Sequence, residues 1–403
     1  MQKGAVAVVV VAINMFKTIF TKRHARLLTL VISSSALPAL ATVLPDERAD
    51  AMYHRYEGGG VTVDGPSVLV RKNIAETVSI SANYYVDHVS SASIDVVTQA
   101  SPMGFQEDRT QKSLSVDYLH GGWLYTVGYI NSNEPDYIAN TYTADVSQDF
   151  FGDLTNVSMG FSYGDDTVKK ARDPSFKESS YRYQYRVAIS QIITPELLLA
   201  FSWENIVSDG YLHSPYRSDF FLSSTNQRVA EADSYPKAHD SDAFALRALY
   251  YLPYRAALKA EAKHYTDDWG VKANSFELGY THPLPKGLML DLHARYYKQD
   301  KAYFYYDLLP YADAYQFHAR DKALSTFNSR TLGFGVSYDF GSLFLKEGNS
   351  SFIDKASINF AWDRMQFNYE DFRDMRVTNV APGTEPLYSF DANVIRLFLS
   401  VWY

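Results

Sequence analysis

The chain has 403 residues, with 38 basic and 46 acidic side chains and a net charge of −8. It contains no cysteine, which excludes a disulfide framework, a thiol nucleophile and thiolate metal ligation. The acidic balance disfavours nucleic acid as a partner, because that binding rests on neutralising phosphates.

Tyrosine (32), phenylalanine (24) and tryptophan (5) are abundant, a composition suited to strands and interfaces rather than a helical enzyme core. Such a length would ordinarily suggest two domains, but one closed sheet can use all of it.

In chain order, the first expected element is a cleaved secretory signal over residues 1–41. Met15-Phe16-Lys17 opens a basic stretch with Lys22, Arg23 and Arg26, and Met15 is an alternative start. Leu27 to Leu37 is apolar, and Ala39-Leu40-Ala41 supplies the small-x-small cleavage pattern. A membrane anchor over Leu27–Leu40 is the competing reading, weakened by three Ser and one Pro within it. Removing 1–41 takes away five bases and no acid, leaving 33 bases against 46 acids and a net charge of −13. Beyond residue 41 no apolar run is long enough for a transmembrane helix, so a membrane-spanning mature chain has to be a closed barrel.

Residues 42–60 read as a periplasmic N-terminal segment or a first strand, and 61–403 as the barrel. A hairpin over 51–73 is expected to turn at Asp64-Gly65-Pro66. From there the chain repeats one pattern, stretches of about ten residues that alternate apolar and polar. Val78, Ile80, Ala82, Tyr84 and Val86 oppose Ser79, Ser81, Asn83 and Asp87. Tyr183, Tyr185, Val187 and Ile189 oppose Arg182, Gln184 and Arg186. Ala256, Leu258, Ala260 and Ala262 oppose Lys259, Glu261 and Lys263, and Leu288 through Tyr296 opposes Asp291, His293 and Arg295. Neighbours in a strand point to opposite faces, so each stretch has one apolar and one polar wall.

Short connections at Phe151-Gly152-Asp153, Thr194-Pro195-Glu196, Leu252-Pro253-Tyr254 and His282–Lys286 are expected to alternate with long ones near 91–108, 164–179, 209–238, 301–322 and 371–388. The connections near 266–269 and 339–353 break that rhythm. Trp203 and Trp362 end apolar runs as girdle residues do. The last stretch places Ile395, Leu397, Leu399, Val401 and Tyr403 on one face. Leu399, Val401 and Tyr403 resemble the assembly signal read by the barrel assembly machinery. The expected fold is therefore all-β, an antiparallel transmembrane barrel of about 16 strands, or 14 if residues 51–73 lie elsewhere.

Several stretches resemble a family of outer-membrane proteins known as domain of unknown function 3570. They are Leu44–Asp50, Tyr56–Val61, Asp64–Lys72, Ser81–Asp87, Ser90–Val97, Gln148–Leu154 and Ser214–Arg217. The resemblance covers nearly all of the mature chain and is more specific in its first half. It implies an outer-membrane location and a barrel, and it brings no established activity.

Chemistry-bearing groups are sparse. His213-Ser214 is the one adjacent His–Ser pair in the mature chain, and it precedes a proline in a long loop. His239 with Asp240 and Asp242, and His264 with Asp267 and Asp268, are candidate metal sets without a third ligand type at fixed spacing. No catalytic residue and no cofactor is expected. The polar walls say more together. Asp87, Asp117, Asp145, Arg182, Arg186, Glu204, Arg247, Lys259, Glu261, Lys263, Glu277, Asp291, His293, Arg295 and Asp363 would face a lumen. On the lipid side, Arg or Lys at mid-membrane would cost roughly 2–4 kcal/mol each.

The expected function is a porin-like conduit for small polar solutes. One alternative is a non-conducting scaffold for a periplasmic or transenvelope redox partner, docked through 42–60 and the periplasmic turns. The other is an outer-membrane hydrolase. Expected partners are outer-membrane lipid and the assembly machinery.

Overall fold

The computed structural model describes residues 43–91, 105–170, 173–340 and 353–403. The expected signal over 1–41 lies outside the described residues, as do parts of the connections near 91–108 and 339–353.

Sixteen strands close into one antiparallel barrel. The first nine are β1 (Arg48–Gly58), β2 (Val61–Ala75), β3 (Val78–Ser91), β4 (Phe105–His120), β5 (Trp123–Asn133), β6 (Tyr137–Phe150), β7 (Thr155–Lys170), β8 (Asp173–Thr194) and β9 (Leu197–Gly210). A small hairpin, β10 (Ser218–Leu222) and β11 (Arg228–Ala232), sits in the connection that follows and forms its own two-stranded sheet. The barrel resumes with β12 (Ala238–Tyr251), β13 (Ala257–Asp267), β14 (Lys272–Pro283), β15 (Leu288–Gln299), β16 (Phe327–Asp339), β17 (Lys355–Arg373) and β18 (Leu387–Trp402).

Within the barrel each strand pairs with the barrel strands before and after it, β9 directly with β12. β1 closes the ring against β18, from Arg48 opposite Trp402 to Gly58 opposite Ala392. Closure removes the open edge that hydrocarbon could not satisfy. β1 begins and β18 ends at one rim, where 340–354 also joins β16 to β17, and the 211–237, 300–326 and 374–386 connections emerge at the other. That layout, with an exposed apolar belt, places the protein in the bacterial outer membrane.

Three sequence expectations change. The first hairpin turns at Gly59-Gly60, whose φ values of 60° and 80° supply the two left-handed positions a tight hairpin needs. Asp64-Gly65-Pro66 lies inside β2 instead, where Gly65 is required because a Cβ there would sit 2.1 Å from the Val86 carbonyl oxygen. Residues 48–58 form the seam strand, paired on both sides, and so are not a free docking segment. The stretch 164–179 is not a loop. β7 and β8 continue as a paired ribbon, with Asp166 opposite Ser180 and Val168 opposite Glu178. Backbone pairing needs no continuous apolar wall, since here the inner face of β7 keeps Asp166 and Val168 buried while the facing part of β8 is largely exposed, and polarity alone therefore misreads this stretch.

The two faces of a strand also exchange character along its length. On β17, Ile358, Phe360 and Trp362 point outward, and the outward positions above them are Arg364, Gln366, Asn368 and Glu370. Inward, Ser357, Asn359, Ala361 and Asp363 give way to Met365, Phe367 and Tyr369. The outer switch marks where lipid ends. Tyr129, Tyr142, Tyr163 and Tyr183 stand side by side across four strands near that level, with ring centroids 5.2, 6.5 and 5.2 Å apart, as an interfacial girdle. Above it the outer surface carries polar pairs such as His264–Asn274 (2.9 Å) and Asn205–Asp240 (2.8 Å).

The inner switch marks a hydrophobic core. Phe304, Tyr305, Ala319 and Leu324 of the 300–326 connection pack with Tyr235 of the 211–237 connection. They rest on Trp269 and Val271 and on the upper inner wall formed by Phe327, Phe367, Tyr369 and Tyr388. Arg320 anchors this core, fully buried over the Phe372 ring at 4.1 Å and bonded to the carbonyl oxygen of Arg373 at 2.7 Å. The two longest described connections thus fold as one unit at one side of the mouth.

Candidate functional site

Below the loop core the inner wall is a belt of paired charges. Arg182, Arg186, Arg247, Lys259, Glu261, Lys263, Glu277, Asp291, His293 and Arg295 all stand on the strand face opposite the exposed apolar one. Arg247 donates to Glu261 through Nε at 2.8 Å and Nη2 at 2.5 Å, and Lys263 reaches the other oxygen of Glu261 at 2.5 Å. Lys259 pairs with Glu277 at 2.7 Å, and Arg182 lies 3.8 Å from Asp166. Asp291 accepts a hydrogen bond from Thr281.

Several pairs span two strands, which the concave side allows because side chains converge there. Arg186 on β8 reaches Asp145 on β6 at 2.7 Å across Gly160 of β7. His293 on β15 meets Asp363 on β17 at 2.9 Å across Gly333 of β16, and Arg396 on β18 completes that group. Arg71 bonds Asp117 in the same way across β3. A Cβ at Gly160 would sit 2.3 Å from Asp145 Oδ1, and one at Gly333 would sit 2.1 Å from Asp363 Oδ1. Each glycine is the gap through which its pair meets.

The bases and acids are not equally placed. Arg182 keeps 22% of its side chain exposed against 3% for Asp166, and Arg247 keeps 23% against 4% for Glu261. His293 is likewise more open than Asp363, and Lys263 than Glu261, whereas Lys259 and Arg186 are about as exposed as Glu277 and Asp145. In the first group the acid sits against the wall and the base lies over it.

Near the upper end of this wall is a drier group. Arg109 lies 3.2 Å from Asp87 and 3.3 Å from Glu134, and His54 lies 2.9 Å from Asp87, all with little exposure. Neither Arg109 nor Glu134 was among the residues expected to face inward; Arg109 borders the expected 91–108 connection, where charge is ordinary.

The sequence-proposed chemical sets come apart. His239 points inward and bonds Asp267 at 3.0 Å, whereas Asp240 and Asp242 are on the outer face with Asn205. His264 also points outward, away from Asp267. The strand alternation that brought these residues close in sequence is what separates them. His213 is stacked between Tyr211 and Tyr235, with centroids 4.1 and 4.8 Å away. Its neighbour Ser214 is buried and accepts the backbone N–H of Tyr216 at 3.3 Å, as a turn-former does.

Burial, with the nearby Arg217 charge, pushes the His213 imidazole down to about 4. Burial raises the Asp233 carboxyl well above its usual range, and their 3.8 Å contact is therefore better read as neutral than as an ion pair.

Among solved structures, the fold is similar to a bacterial polysaccharide outer membrane secretin, with 7% identity over 90% of this chain and 99% of that one and a TM-score of 0.45. It is similar to CdiB from Acinetobacter baumannii, with 9% identity over 88% of this chain and 60% of that one and a TM-score of 0.46. It is also similar to the outer membrane protein opdK from Pseudomonas aeruginosa, with 9% identity over 89% and 99% and a TM-score of 0.41. These likenesses concern barrel architecture alone. No curated protein matches the sequence. A family model described as "Protein of unknown function (DUF3570)" matches residues 93–344, so the resembling stretches from Leu44 to Ser90 lie before the matched span. That match covers more than half of the 403 residues, and the chain belongs to this family.

Proposed function

We propose that the barrel conducts small polar solutes across the outer membrane, with a preference for anions. The observation that carries the reading is that Arg182, Arg247, Lys263 and His293 stay partly exposed over the more deeply placed carboxylates of Asp166, Glu261 and Asp363. A dry plug would bury both members of each pair, since a charge left half-paired in a low dielectric is costly. Partly open Arg and Lys side chains are instead suited to a wet interior, and rings of charge lining a pore select ions. Sixteen strands allow a water-filled lumen. The loop core lies on the β13–β18 side of the mouth, which would narrow the passage from that side.

The test is single-channel recording of the refolded chain lacking residues 1–41, with folding verified by heat-shifted gel mobility. Stable current steps are expected, with a reversal potential in a KCl gradient that indicates anion preference. Lys259→Glu should shift that potential toward cations without loss of the fold. A folded barrel that passes no current would overturn the reading and favour a closed scaffold for a periplasmic partner.

A further inference from the structure

The loop unit at the mouth contains a ligand set that no sequence spacing announces. Asp219 comes from β10, Glu231 from β11 and His318 from the 300–326 connection, 99 positions from Asp219. One donor atom from each lies within 4.8 Å of the other two. His318 Nδ1 is 2.5 Å from Asp219 Oδ2 and 3.9 Å from Glu231 Oε1.

The backbone holds these donors in place. Ser234 and His318 exchange N–H···O bonds of 2.8 and 2.9 Å, and the Leu309 N–H donates to the Phe220 carbonyl at 2.7 Å. The second Glu231 oxygen is already engaged, accepting the Asp313 N–H at 3.2 Å.

Two further observations point to a missing cation. The Asp219 side chain is only 1% exposed, yet its Oδ1 has no hydrogen-bond partner, and Glu231 Oε1 is likewise buried and unpartnered. Buried carboxylate oxygens without partners are uncommon and call for an explanation such as an ion. The charge count agrees. Two carboxylates face one imidazole, so even a protonated His318 leaves the group one negative charge in excess. Arg217 and Arg228, on or beside the small hairpin, are committed to Asp321 at 2.6 Å and to Glu385 at 2.5 Å.

We propose that Asp219, Glu231 and His318 bind one divalent transition-metal ion, of the zinc class, that staples the two mouth loops together. One imidazole nitrogen and two carboxylate oxygens suit such an ion, whereas an all-oxygen set would suit calcium or magnesium. Metal–ligand bonds of about 2.0–2.2 Å bring tetrahedral donors to roughly 3.3 Å from one another. The present spacing therefore needs only side-chain adjustment. Binding requires a neutral His318 and leaves a coordination position for water. The proposal is independent of whether the pore conducts.

The experiment is titration of the untagged, refolded, EDTA-treated barrel with ZnCl2, and with CoCl2 followed by visible absorption. One ion per chain is expected. Asp219→Asn, Glu231→Gln and His318→Gln should each weaken binding at least tenfold. His239→Gln, which alters a histidine bonded elsewhere, should leave binding unchanged. Zinc should also slow proteolysis within 211–237 and 300–326 in the wild type and not in Glu231→Gln, the most exposed of the three positions. Heat-shifted mobility confirms that each variant is folded. Absence of saturable binding by the folded wild type, or an affinity unchanged from wild type in Asp219→Asn and Glu231→Gln, would overturn the proposal.

Discussion

Gly333→Ala tests whether the inner belt is built through glycine gaps. The added Cβ would lie 2.1 Å from Asp363 Oδ1 and 2.3 Å from His293 Cε1, closer than real Cβ contacts come. Neither neighbour is free to swing away, since Asp363 is held by Arg396 at 2.5 Å as well as by His293 at 2.9 Å. Forcing a methyl into such a site costs roughly 1–3 kcal/mol, and losing the His293–Asp363 bond adds about 1–2 kcal/mol. The expected destabilisation is therefore on the order of 2–5 kcal/mol.

Gly335 provides the control on the same strand and face. Its Cβ would meet nothing nearer than Asp291 Cβ at 3.5 Å, and Gly335→Ala should be neutral or stabilising by about 0.5–1 kcal/mol through reduced backbone entropy. Urea unfolding of the refolded barrels, followed by tryptophan fluorescence, measures both. In a His293→Ala background the cost of Gly333→Ala should fall, because one of the two clashing groups is gone. Equal stabilities of Gly333→Ala and Gly335→Ala, or no coupling to His293, would refute the reasoning.

Two other outcomes follow from the seam and the loops. Deleting Trp402 and Tyr403 should lower the yield of heat-modifiable barrel in outer membranes, because Trp402 pairs with both Arg48 and Lys355 and the Tyr403 hydroxyl donates to the Arg71 carbonyl at 2.9 Å; unchanged yield would count against an assembly role for this end. His213→Phe should keep the stack with Tyr211 and Tyr235 while removing a titration. The folded imidazole resists protonation down to about pH 4, whereas an unfolded one takes a proton near 6.5. Wild-type stability from this group is therefore present above 6.5 and is lost as pH falls toward 4. Relative to wild type, the variant should gain on the order of 1–3 kcal/mol between pH 7 and pH 4. A pH-independent difference in unfolding midpoints would show that His213 does not titrate as stated.

Strand alternation is a local property, set by the backbone's two-residue period, and it was legible without a structure. From it came the membrane barrel and a strand number of about 16, with 14 as the alternative. Turn positions were less legible. Gly59-Gly60 and Asp64-Gly65-Pro66 both carry turn chemistry, and only pairing with β3 and β18 shows which of them bends the chain. The 164–179 ribbon was misread because a polar sequence does not report the absence of a ladder. The metal candidates failed because residues one or three apart on a strand face opposite ways.

What the sequence by itself determined is the architecture: its alternating pattern fits a sandwich as well as a barrel, and the aromatic ends of its apolar runs, the loop rhythm and the last strand point to a closed antiparallel sheet in a membrane. Which charges meet was decided only by the tertiary structure. Asp145 meets Arg186 and His293 meets Asp363 because curvature and an intervening glycine bring strands two apart within reach, and Asp219, Glu231 and His318 meet because two distant loops fold onto one inner wall. Such partners share no period and no fixed spacing, so their proximity exists only once the barrel has closed.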